Sequence, residues 1–89
     1  MSRYREEATA REVAPLVTAL RDRVDAVRAA EVRRLGRGLE PAEQASLDAL
    51  SRSLVAKLLH EPTVRLKDAA GSVRGERLAE ALRDLFDLS

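Results

Sequence analysis

The side chains able to do chemistry in this sequence are few and scattered. His60 is the single histidine and there is no cysteine, so disulfides, cysteine–zinc sites and thiol catalysis are excluded together. An imidazole after Leu58-Leu59 and before Glu61-Pro62 lies where a helix is expected to end. There a histidine satisfies free carbonyls and interacts favourably with the helix dipole. The close acid pairs, Glu6-Glu7 and Asp84/Asp87, sit in polar stretches with no apolar walls to raise a carboxyl pKa, so general acid–base chemistry has no support. Gly36-Arg37-Gly38 and Gly71 to Gly75 follow no strand pattern and no lysine–serine pair closes them, so neither is a phosphate loop. The sequence therefore offers no catalytic residue, no cofactor-binding residue and no metal ligand.

Basic residues could bind instead of react. Arg33, Arg34 and Arg37 form the densest cluster, and Arg65 and Lys67 a second. The first lies near a helix C-terminus, where cations are favoured in any case, and the second can pair with Glu61 and Asp68. Sixteen basic against fifteen acidic residues leave a net charge of +1. Acids and bases interleave, as in Arg21-Asp22-Arg23-Val24-Asp25, which is the pattern of a solvated mixed-charge face and not of a nucleic-acid stripe. No signal peptide and no apolar run near the ~18 residues of a membrane helix is present. The expectation is a cytoplasmic chain with no membrane partner.

The elements that would carry these residues are helical. Eighty-nine residues make one small domain near the lower limit for a self-sufficient core. Ala, Leu, Glu and Arg dominate, with aromatic residues at 2%, the composition of helical bundles. Residues 2–12 favour helix but carry almost no apolar stripe, as would the tail of a longer helix or a frayed terminus. Pro15 either begins the next helix or kinks a continuous one. Val13, Val17, Leu20, Val24 and Val27 then recur in steps of four and three. Glu31 and Arg34 break that seam, and Val32 and Leu35 resume it one residue later.

Gly36 and Gly38 end this first helix. Pro41 opens a second, with acids in its first turn and Leu47, Leu50, Leu54 and Leu58 as its stripe. Pro62 predicts a structural corner at His60 and Pro62. A short helix over about 62–70 follows, then a turn with Ser72 as a candidate cap, then a last helix with Leu78, Leu82, Leu85 and Phe86. The pattern predicts helices over about 13–37, 41–60, 62–70 and 75–87. A helix from Pro15 to Arg37 would be roughly 35 Å long. A compact monomer of this length has a radius of gyration of about 12 Å, so the seam overshoots a single-chain globule, and a second copy would cover it.

Three stretches also resemble a known family in its order. Glu12-Val13-Ala14-Pro15-Leu16-Val17-Thr18-Ala19-Leu20-Arg21, the corner run Leu58-Leu59-His60-Glu61-Pro62-Thr63-Val64-Arg65-Leu66-Lys67, and Leu78-Ala79-Glu80-Ala81-Leu82-Arg83-Asp84-Leu85-Phe86-Asp87 look like the C-terminal dimerisation domain of glutamyl-tRNA reductase. The resemblance implies an oxidoreductase that uses NADPH to convert glutamyl-tRNA to glutamate-1-semialdehyde in tetrapyrrole (porphyrin) biosynthesis. It implies a long spinal helix whose end would be residues 1–14, with residues 15–89 forming the dimerisation domain. It further implies a V-shaped homodimer whose cleft receives the downstream aminomutase. The family's catalytic cysteine and its dinucleotide-binding glycines have no counterpart here, so the chain alone is expected to be inactive.

The combined expectation is an all-α homodimerisation module of about four helices, two long and two short. Leu16, Leu20, Val24 and Val27 of the first helix and Leu47, Leu50, Leu54 and Leu58 of the second would form core and interface. Periodicity does not say which of these face the partner. Two other readings stand beside it. One is a small helical nucleic-acid-binding protein using Arg33–Arg37 and Arg65–Lys67, and the other is an adaptor that takes a different protein into an apolar groove.

Overall fold

The computed structural model describes the backbone of residues 2–88 and the side chains of residues 13–88. Among the described residues three helices follow one another: α1 (Ser2–Leu35), α2 (Pro41–Asp68) and α3 (Val73–Phe86). There is no strand among the described residues, so the fold is all-α, with three helices where the sequence pattern predicts about four.

The difference lies at Pro62. A corner is expected there, but α2 continues as one helix to Asp68 with Pro62 inside it. An internal proline removes one helical hydrogen bond and costs about 3 kcal/mol. Here the carbonyl deprived of its donor belongs to Leu58, and both Leu58 and Pro62 are exposed, so water can serve it. On the other flank Leu59 packs against the core and Thr63 and Leu66 are buried. Packing on both sides of the proline holds the helix through it, as tertiary context overrides propensity elsewhere. Pro15 behaves alike: α1 continues through it, and the Thr18 hydroxyl donates to the Ala14 carbonyl at 3.1 Å.

The two connections are short and well capped. Gly36 N–H donates to the Val32 carbonyl at 2.8 Å and Leu39 N–H to the Gly36 carbonyl at 3.0 Å, while Gly38 takes a φ of 85° that a side chain would disfavour. The Gln44 amide then ties the turn down, donating to the Gly36 and Leu39 carbonyls at 3.0 and 3.1 Å. At the second turn Ser72 caps α3 by accepting from Gly75 N–H at 3.0 Å. Gly75 is buried, and a Cβ there would collide with the Ala69 carbonyl, so the turn packs backbone against backbone. After α3 the chain turns back through Asp87, at a φ of 54°, and tucks Leu88 into the core.

The core comprises Val13, Leu16, Val17 and Leu20 of α1, Leu66 of α2, Ala79 of α3 and Leu88. All of it lies toward one end. The molecule measures 58 × 20 × 15 Å with a radius of gyration of 16.4 Å, well above the ~12 Å of a compact chain of this length. Beyond the core, α1 and α2 continue as an antiparallel hairpin.

Candidate self-association surface

The eight aliphatic residues expected to form core and interface are separated by the structure. Leu16 and Leu20 are buried inside the chain, and Val24 and Leu47 are half-buried. Val27, Leu50, Leu54 and Leu58 are not covered: they are 61%, 59%, 53% and 72% exposed. The last three follow one another at four-residue steps along α2 and therefore lie on one face. His60 and Pro62 are exposed on the same helix and make no corner.

Beside that face lies an apolar groove of about 490 Å³ between α1 and α2. Val24, Val27 and Val32 line it from α1, Leu47, Leu54 and Val55 from α2, and Phe86 from α3. Leu35 at the end of α1 and Leu85 on α3 are also exposed, the latter at 79%. Single exposed aliphatics are ordinary, but an aliphatic face joined to an apolar groove is the mark of an interaction site.

What holds the hairpin together under the groove is polar. Arg28 is buried, and its Nε donates to Asp25 Oδ1 at 2.7 Å. Its Nη1 crosses to α2, donating to Asp48 Oδ1 at 2.8 Å and to the Ser51 hydroxyl at 3.1 Å. Arg52 holds the other oxygen of Asp48 at 2.8 Å. The hydrogen bond from Arg28 keeps the Asp25 carboxyl below the ordinary carboxylate range. Asp48 is lowered too, first by Arg52 and then by Arg28, and Arg28 is raised by Asp25 and Asp48 in turn.

Reading the charge pattern as a solvated face misses Arg28. The signal is present, however, in the row Leu20, Val24, Arg28, Val32. A four-residue apolar row interrupted by one arginine, with acids three residues before it and on the facing helix, marks a buried and paired charge.

The remaining candidates stay dispersed. Arg34 forks onto Glu31 at 2.6 and 2.8 Å and lowers its pKa, and Arg65 pairs with Glu61 at 3.4 Å. The first basic cluster ends α1 and enters the following turn, and the second lies near the far end of α2, roughly 36 Å of helix beyond its start at 1.5 Å per residue, so they form no continuous stripe. Among the described residues no three His, Cys, Asp or Glu side chains converge on a metal-sized site, and no helix is long and apolar enough to cross a membrane. Gly36 and Gly38 lie in the turn between α1 and α2, Gly71 in the turn before α3, and Gly75 within the first turn of α3.

The sequence profile of the family described as glutamyl-tRNAGlu reductase, dimerisation domain, matches residues 1–88. The chain is 40% identical over 92 residues to glutamyl-tRNA reductase of Myxococcus xanthus (strain DK1622), covering 99% of this chain and 21% of that protein. It is 43% identical over 91 residues to glutamyl-tRNA reductase of Thermobifida fusca (strain YX), covering 99% of this chain and 19% of that protein. The chain thus spans about a fifth of the length of these relatives. No solved structure matches it.

Proposed function

The chain belongs to the family of glutamyl-tRNA reductase dimerisation domains, and from that premise we propose that it pairs with a second copy of itself through the open end of the hairpin. The observation that carries this reading is the exposed α2 face of Leu50, Leu54 and Leu58 beside the apolar groove. Around a two-fold axis the same patch meets itself, and each leucine removed from water contributes about 1.5–3 kcal/mol. The groove lies between helices that a small internal core and a polar cluster already hold apart, so a partner has a preformed surface to pack on.

The larger role proposed rests on the relatives' names together with the family resemblance of the sequence. The chain would join two copies of an enzyme that reduces glutamyl-tRNA to glutamate-1-semialdehyde with NADPH, binding and chemistry being carried by parts outside these residues. Residues 1–14 would be the end of the helix that leads to those parts. In support, α1 runs unbroken through Pro15, and residues 2–12 carry almost no apolar stripe in sequence. The cleft of such a dimer would admit the aminomutase that consumes the product.

Placing charge on the face tests the pairing. Leu54→Asp with Leu58→Asp is expected to give a one-chain mass by sedimentation equilibrium with unchanged far-UV helicity. A two-chain mass in that variant would exclude this face from the interface.

A further inference from the structure

Where the hairpin leaves the core, the residues that α1 and α2 set against each other are spaced by four on both helices. They are Val24, Arg28 and Val32 on one side and Leu47, Ser51 and Val55 on the other. Apolar rows with a one-turn period are degenerate: sliding one helix by a turn, about 5.4 Å, brings aliphatic side chains back into contact. Arg28 is the exception. The positions four residues from Asp48 and Ser51 are Arg52 and Val55 in one direction and Gln44 and Leu47 in the other, and none offers a carboxylate. A slip would strip a buried guanidinium of its cross-helix partners.

We propose that Arg28 fixes the register of α1 against α2 and thereby the shape of the face offered to the second copy. It is a specificity-determining residue for self-association and not a source of affinity. The inference rests on the pairing proposed above, because Arg28 lines the same groove as Val27 and Leu54, so a slipped hairpin would present a different groove. A single buried polar group that selects register and partner number, at a cost in stability, is a known use of such residues in helical assemblies.

The natural absence of cysteine makes the test direct. Cysteines are introduced at the exposed Arg33 and Ser53, spin-labelled, and the chain is diluted into unlabelled protein so that each assembly reports one hairpin. The chain with Arg28 is expected to show one narrow distance distribution and one assembly mass. Arg28→Met is expected to remain helical but to add a second distance maximum, reflecting a slip of about 5.4 Å, and to broaden the assembly masses beyond the dimer in native mass spectrometry. Should Arg28→Met not fold, Asp48→Ala with Ser51→Ala, which removes the cross-helix acceptors, is read in the same way. A single narrow distribution with a uniform dimer in whichever variant folds overturns the proposal. A monomeric parent chain instead overturns the pairing itself, and with it any role for Arg28 in partner choice.

Discussion

Around Leu20 and Leu66 three helices close over a small aliphatic core, whereas around Arg28 and Leu54 two helices lie side by side over a polar cluster with their aliphatic face uncovered. The same kinds of residue, at the same spacing on the same helices, occupy both ends. Leu20 is 2% exposed and Leu54 53%. What separates the ends is the third helix. α3 is half the length of α2, and Phe86 and the turn at Asp87 end it before it can cover the hairpin. The closed end makes the chain fold, and the open end leaves surface for another chain.

The contrast can be broken most forcefully at the closed end. Leu20→Ala is expected to cost about 2–5 kcal/mol of folding stability, as large-to-small changes in buried cores do, and urea denaturation would show the loss at every protein concentration. Leu54→Ala should behave differently, with its cost of about 1–3 kcal/mol appearing as weaker association and vanishing at dilutions where the assembly has dissociated. Equal and concentration-independent losses in the two variants would abolish the distinction.

Gly75→Ala probes the closed end through its backbone. The added methyl would meet the Ala69 carbonyl, and a loss of about 1–3 kcal/mol, typical of overpacking, is expected in thermal melts without a change in assembly mass.

The smallest effect belongs to the polar cluster. Asp25 and Asp48 titrate below their ordinary value in the folded chain, so near and below pH 4 the unfolded chain binds more protons and stability rises with pH there. That contribution is present above about pH 4 and is lost as pH falls through the folded pKa values. Asp25→Asn with Asp48→Asn should flatten the acid limb of a stability–pH curve, and an unchanged limb would mean that the cluster adds nothing.

Much of this was legible from residue order. The all-helical class, the turns at Gly36–Gly38 and Gly71, the opening of α2 at Pro41 and the cap at Ser72 follow from local chemistry. Local chemistry fails at Pro62, where its signal to stop is outweighed by Leu59, Thr63 and Leu66 packing on the opposite flank. It also could not sort Leu16 and Leu20 from Val27 and Leu58, because periodicity finds apolar stripes without saying how far a third helix reaches. Arg28 was hidden by its surroundings: a run of alternating charges reads as solvated until the facing helix supplies Asp48 and Ser51.

The most direct test of a closed end that folds and an open end that pairs is the solution mass of the chain by light scattering across a hundredfold dilution in moderate salt. An open end that pairs gives a mass twice that of the 9.8 kDa chain, held at low concentration. A mass of one chain throughout would contradict it, and would leave the groove of Val27 and Leu54 to a partner of another kind.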